Sequence, residues 1–341
     1  MSFGFTSTDF VYVNNSYNPE TGRWENSGDF FAGDDPRLMI HYASYAINYG
    51  NSIFEGAKAY LGRDGKARLF RIEENAKRFE RSAIGIRMPA APVDMFVEAV
   101  TELVRRNRRF IPEFNENPNQ RGSLYIRPLL IGEPGLGVNV SKKPTFLIFC
   151  SPVGPYYATG FKPLKAMTIH HMTRAMPGGH GAHKTGANYV MSMLATAYAK
   201  ERGCTEAIWL DGYRHEFIEE LSACNFMCRI DNTLVTPALS DTILAGITRN
   251  SILRIAKDML KMTVVQRPLL LEEVLDSADE TFGCGTAAVV SPIGTIVAYN
   301  GRFVRTVTED VGELSREIYN KLTGIQWGEL EDPFNWVTIV G

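Results

Sequence analysis

Met176-Pro-Gly-Gly-His-Gly-Ala-His-Lys-Thr-Gly-Ala-Asn-Tyr189 is the stretch on which the reading of this chain turns. Its one lysine, Lys184, stands among Gly178, Gly179, Gly181 and Gly186, a backbone too permissive for the interior of a helix or strand. From Tyr189 the chain runs through good helix formers to a stop at Arg202-Gly203. The pattern predicts an amine and a phenol, five positions apart, at a bend leading into a helix. A solvated lysine in a glycine turn would look the same. A Schiff-base lysine, whose amine must be desolvated or charge-tuned to act as a nucleophile, needs partners elsewhere in the chain.

Outward from this bend, the composition is that of an ordinary globular protein, with 341 residues, 45% hydrophobic and 22% charged. That length is enough for about two domains. Lys plus Arg number 36 against 38 acids, so charge gives no case for nucleic acid or an anionic membrane. The one basic cluster, Arg105, Arg106, Arg108 and Arg109, follows an amphipathic run and reads as a helix C-terminus complementing the dipole. The five scattered cysteines include no C-x-x-C pair, and no His cluster accompanies Cys224 and Cys228, so no metal site is expected. Reduced thiols, a start without signal-peptide character and no apolar run of about 20 residues lead to the expectation of a cytoplasmic protein.

The first forty residues read as loops and turns with one short strand. Strand-type residues follow Gly50-Asn51, and Gly62-Arg-Asp-Gly65 makes a hairpin turn. Ala76, Phe79, Ala83 and Ile86 fall at helical spacing, and a second helix is predicted over about Pro92 to Arg108. Ser123–Ile131 and Thr145–Cys150 are plain strands, and in the first of them Tyr125 and Arg127 share a face, expected to be the inner one of an otherwise apolar strand. That pair fits a structural ion pair or a substrate contact equally well. The Pro- and Gly-rich segment Ser151–Pro163 is the best linker signal. It divides the chain into a smaller domain over 1–150 and a larger one over 164–341 that carries Lys184. Phe217–Ile230 reads as one strand-like run with Glu219 and Glu220 set among apolar residues. Leu244–Leu260 reads as a glycine turn entering a helix. The turns at Gly246-Ile247-Thr248 and Gly285-Thr286-Ala287 each suit an anion, although neither is a P-loop. Mixed strands and helices imply an α/β (α+β mixed) fold in two domains.

A lysine in a glycine bend, a phenol, a carboxylate in an apolar strand and two anion-binding turns make up the parts needed for pyridoxal 5′-phosphate chemistry. Over about Asn48 to Tyr299 the chain resembles the branched-chain-amino-acid aminotransferases, of the fold-type IV class. The matching words are Phe54-Glu-Gly, Leu69-Phe-Arg71, Ser123-Leu-Tyr-Ile-Arg-Pro128, Lys184-Thr-Gly-Ala-Asn-Tyr189, Leu244-Ala-Gly-Ile-Thr-Arg249 and Gly285-Thr-Ala287. The resemblance implies transamination of leucine, isoleucine and valine with 2-oxoglutarate by a homodimer. It implies that Lys184 binds the cofactor and then moves the proton, that Glu220 rather than Glu219 pairs with the ring nitrogen, and that Tyr189 bonds the ring hydroxyl. Arg71, Ile247, Thr248 and Thr286 would hold the phosphate, assisted by Arg174. Tyr49, Phe54, Tyr125 and Arg127 would line the side-chain pocket, with Thr286 and Ala287 at the substrate carboxylate. Two departures stand out: Ala288-Val-Val-Ser291 replaces the C-x-x-C of mammalian relatives, and Ala223 stands where some relatives have Thr. A D-amino-acid aminotransferase or aminodeoxychorismate lyase would share the lysine, but the longer chain and the Ser123–Pro128 word favour the branched-chain enzyme. A non-catalytic cofactor-binding sensor would be expected to lack Lys184 or Glu220, and both are present.

Overall fold

The computed structural model describes residues 3–154 and 160–341. The chain forms two compact units, one of Met1–Ala158, His183–Ala187 and Gly324–Gly341, the other of Thr159–Ala182 and Asn188–Thr323. These units do not follow the expected boundaries: the five residues around Lys184 and the C-terminal strand pack with the first unit. Ser151–Val153, expected in the linker, end a strand, and residues 155–159, with Tyr156-Tyr157, lie outside the described residues.

Among the described residues the first unit holds an eight-stranded antiparallel sheet. Its order runs Val337–Val340, Ala67–Phe70, Ala57–Leu61, Ser123–Ile131, Thr145–Val153, Phe10–Asn14, Asp29–Ala32, with Ser52–Phe54 also paired to Ser123–Ile131. The N-terminal region, read as mostly turns, thus supplies two strands, because its aromatics are core residues rather than turn decoration. Tyr12 packs with Phe146 and Phe30, and Phe79 and Phe96 of the two predicted helices close on Phe146. Those helices run Ile72–Gly85 and Val93–Arg106. The first buries Ile72, Ala76, Phe79 and Ala83, a stripe at helical spacing. At the end of the second, Arg105 and Arg106 pair with Glu102, while Arg109 pairs with Asp9, as a solvated helix end should.

The second unit is built on a nine-stranded mixed sheet. The run Phe217–Ile230 is not one strand: it folds into Ile218–Leu221 and Asn225–Ile230, with Glu220 directly opposite Asn225. Ser222-Ala-Cys224 makes the turn without glycine or proline, so no composition signal marked it. Ile218–Leu221 pairs with Glu206–Leu210 on one side and Asn225–Ile230 on the other. With Leu164–Ile169, Val289–Ala298 and Glu280–Gly285 this closes the sheet into a ring. Closure gives each of these six strands a neighbour on both sides, while Thr263–Gln266 and Phe303–Thr306 remain edge strands. Its seam falls at Glu220. The predicted helix over 244–260 is an α-helix over Ile247–Arg254, followed by a π-helical turn over Ile255–Met259. Within the described residues no helix is long and apolar enough to cross a membrane.

Candidate active site

In the first unit the lysine segment is tied down by its backbone. Phe54 N–H donates to the Lys184 carbonyl at 2.9 Å, Lys184 N–H donates to Ser82 Oγ at 3.0 Å, and Thr185 Oγ1 donates to the Ser52 carbonyl at 2.8 Å. The segment therefore extends the edge of the Ser52–Phe54 strand. Lys184 Nζ lies 4.7 Å from the centroid of the Phe54 ring, and the Arg127 guanidinium lies 4.8 Å from the same centroid. Arg127 Nη2 donates to Tyr125 Oη at 3.1 Å, so the two residues share a face and touch. That face is not the expected inner one but the one away from the core. Leu124, Ile126 and Leu130 alternate with them and are fully buried. Tyr125 needs Gly56 beneath it, since a Cβ there would stand 2.2 Å from the phenol oxygen. Phe54, Tyr125, Arg127 and Lys184 are thus brought together. Tyr49 is 43% exposed at the end of the helix Tyr45–Tyr49, where its hydroxyl accepts from Gly137 N–H.

Glu55, inside the Phe54-Glu-Gly word, is fully buried and faces the helix Ile72–Gly85. Arg78 Nε and Nη2 donate to its two oxygens at 2.8 and 2.9 Å, and Asn75 Nδ2 adds a further bond. This bidentate pair fixes the strand that carries Phe54. Arg71 begins the same helix with a left-handed backbone (φ 51°), its guanidinium over Trp336 and its N–H on the Trp336 carbonyl at 2.7 Å. Lys58 was not singled out from the sequence. It pairs across the sheet with Tyr125, so their side chains share a face, and burial pushes its ammonium down to about 7. The signal was present in Ala57-Lys58-Ala59, a lone charge in an apolar strand.

In the second unit the centre is Glu220. Arg174 Nε meets its Oε1 at 2.8 Å, while Leu244 N–H and Asn225 Nδ2 donate to Oε2 at 3.2 and 3.3 Å. Arg174 departs from the expected phosphate role: its other guanidinium nitrogens donate to the carbonyls of Thr242 and Gly181. A guanidinium so committed orients the carboxylate and the lysine bend. Ala182 N–H and Gly178 N–H both go to Asp241, by its carbonyl and carboxylate. Asn225 also donates to the Leu244 carbonyl at 2.8 Å, and a Cβ on Gly246 would stand 2.0 Å from Asn225 Oδ1. Only glycine lets the chain approach so closely before the helix Ile247–Arg254. That helix begins with no side-chain cap and no acid in its first turn, which leaves the amides at Ile247 and Thr248 suited to an anion. Thr286 and Ala287 lie in the turn closed by the Gly285–Val289 pair, and Cys284 of that strand stands opposite Asn225. Tyr189 is half-buried in the first turn of the helix Gly186–Glu201.

A family model described as amino-transferase class IV matches residues 52–296. The chain belongs to the class IV aminotransferases. It is 40% identical to branched-chain amino acid aminotransferase 2, chloroplastic, of Humulus lupulus, over 98% of this chain and 79% of that protein. It superposes on the crystal structure of the Escherichia coli branched-chain amino acid aminotransferase with a TM-score of 0.81 and 30% identity, over 98% of this chain and all of that one. The branched-chain amino acid aminotransferase of Thermobaculum terrenum, in its PLP-bound holo form, matches at a TM-score of 0.79 and 25% identity, over 98% of this chain and 99% of that one. Like these aminotransferases it has a mixed α/β architecture. Among its described residues no group of three or more His, Cys, Asp or Glu could hold a metal ion.

Proposed function

We propose that this aminotransferase exchanges the amino groups of L-leucine, L-isoleucine and L-valine with 2-oxoglutarate, using pyridoxal 5′-phosphate, as a cytoplasmic homodimer. The observation that carries the reading is the buried Glu220 carboxylate, fixed by Arg174, Asn225 and Leu244 N–H beside an uncapped helix start. An anion held rigidly on a ring of strands suits a cationic ring nitrogen, and uncapped amides suit a phosphate. The donor set fits that cofactor. Bound there, pyridoxal phosphate supplies an aldehyde for an amine and a ring that takes up electrons.

Each residue then has a task. Lys184 Nζ would hold the cofactor through its aldehyde carbon, with loss of water, and once displaced by substrate would carry the proton. Glu220 keeps the ring nitrogen protonated, and Tyr189 steadies the ring hydroxyl. Ile247, Thr248, Thr286 and Arg71 hold the phosphate. The pocket must take an apolar side chain in one half-reaction and a carboxylate in the other. Phe54, Tyr49 and Tyr125 offer the apolar walls, and Arg127 offers a guanidinium for the second carboxylate. Thr286 and Ala287 amides receive the α-carboxylate. Five cysteines held as thiols, none in a disulfide among the described residues, support a reducing compartment. Met39, Tyr42, Leu136 and Val138, all more than four-fifths exposed, support a second copy covering them.

The test is a visible absorption spectrum of the purified protein, before and after L-leucine, with D-alanine as control. A yellow band that shifts with L-leucine alone is expected, together with glutamate formation from 2-oxoglutarate. A band unmoved by L-leucine would overturn the substrate class, and a protein colourless with added pyridoxal phosphate would overturn the cofactor. Sedimentation of the pure protein checks the dimer.

A further inference from the structure

The strand Ile218–Leu221 carries two acids in a row, and only one has a task above. Its neighbour Glu219 is 8% exposed. Thr242 Oγ1 donates to Glu219 Oε1 at 2.5 Å, and Ser240 Oγ stands 2.8 Å from that hydroxyl. Glu219 Oε2 is buried with no hydrogen-bond partner. An anionic oxygen without a donor is costly in such a place, whereas a neutral acid is far less so. The same Thr242 accepts from Arg174 Nη1 through its carbonyl, and Arg174 Nε holds Glu220. One residue therefore links the second acid to the guanidinium that fixes the first.

The charged groups facing Glu219 are Glu220 on its own strand, Arg174 from the segment before the lysine bend, and Asp211 from the turn after Glu206–Leu210. Burial pushes the Glu219 carboxyl up to about 7. The Thr242 bond and Arg174 oppose the rise, and the charges of Glu220 and Asp211 add to it.

We infer that Glu219 is a positioning residue of this site: as a neutral acid it leaves the Arg174 Nε bond to Glu220 undisturbed, and on ionising it competes for that guanidinium and loosens Glu220. The inference rests on the proposed role of Glu220 at the cofactor ring. Linkage fixes the direction of a second effect. The folded chain holds a proton that the unfolded chain releases near its ordinary carboxylate value. The stability this group contributes is therefore complete below about pH 4.3 and lost as pH rises through about 7.

The experiment compares wild type, Glu219→Gln and Glu220→Gln between pH 5 and 9. Melting of the cofactor-free proteins is followed beside pyridoxal-phosphate affinity and kcat/KM of the loaded enzymes. The Glu219→Gln protein should gain on wild type in melting temperature as pH rises from 5 to 8. Wild-type cofactor affinity and kcat/KM should fall several-fold across that range, while those of Glu219→Gln stay flat. Profiles that coincide at every pH would overturn the inference. So would a melting gain with an unchanged affinity profile, since that would leave Glu219 a merely buried acid. A Glu220→Gln enzyme equal to wild type would instead overturn the role of Glu220 itself. If Glu219→Gln does not fold, Thr242→Val decides, with Thr242→Ser as the conservative control. Loss of the hydroxyl should move the wild-type step to higher pH, and an unmoved step would overturn the inference.

Discussion

Lys184 in the first unit and Glu220 in the second are held in opposite ways. The lysine is fixed through its main chain, by bonds to Phe54 and Ser82, and the neighbouring Thr185 hydroxyl donates to the Ser52 carbonyl. The glutamate is fixed through its side chain, by Arg174, Asn225 and Leu244 N–H. The difference matches the chemistry proposed for each. A group that must form a bond, leave it and carry a proton needs a firm base and a mobile tip. A group that only supplies charge is best with its oxygens immobile, since a preorganised charge need not reorient during reaction.

The sharpest break of this comparison removes the Lys184 amine. Lys184→Ala should lower transamination by more than about a thousandfold while circular dichroism and melting stay near wild type, because the tethers are main-chain bonds. Survival of activity would mean that another amine does the work. The support behind the lysine face comes next. Glu55→Ala removes the bidentate partner of the buried Arg78 and should cost about 3–5 kcal/mol in denaturant melts. A loss below about 1 kcal/mol would show that the Phe54 strand stands without that pair.

Arg127 sharpens the distinction within the first unit. Arg127→Met should raise KM for 2-oxoglutarate about tenfold, by loss of a charge-assisted bond, and change KM for leucine much less. Equal changes for both would assign the guanidinium to support of Tyr125 instead. The smallest effect is expected beside Glu220. Ala223 is exposed in the turn between Glu220 and Asn225, so Thr can enter without a clash. Ala223→Thr should tighten cofactor binding by about 1 kcal/mol at most, the net contribution of one hydrogen bond. A weaker cofactor would show that the turn cannot accept a branched side chain.

Much of the site was legible because its residues carry local signatures. A lysine among glycines, Gly246 before a helix and Gly285 before Thr286 are visible in one dimension, since backbone freedom is written in residue type. Tyr125 and Arg127 were legible because strand period places them on one face. The inner face expected for them was the wrong one, since both sides of Ser123–Ile131 include large apolar residues and only packing turned Leu124, Ile126 and Leu130 to the core. The same limit hid the turn at Ser222-Ala-Cys224, where every residue tolerates a strand.

The sequence by itself determined the fold class, the two candidate anion turns and the residues offered to a cofactor. Tertiary structure alone decided that residues 183–187 pack with the first unit, that Arg174 serves Glu220, that Glu55 binds Arg78 and that Glu219 and Lys58 are buried acid and base. The physical reason is range. Turn chemistry and periodicity act over a few neighbouring residues, whereas an ion pair between Arg174 and Glu220 or the burial of a charge depends on which distant strands close over it.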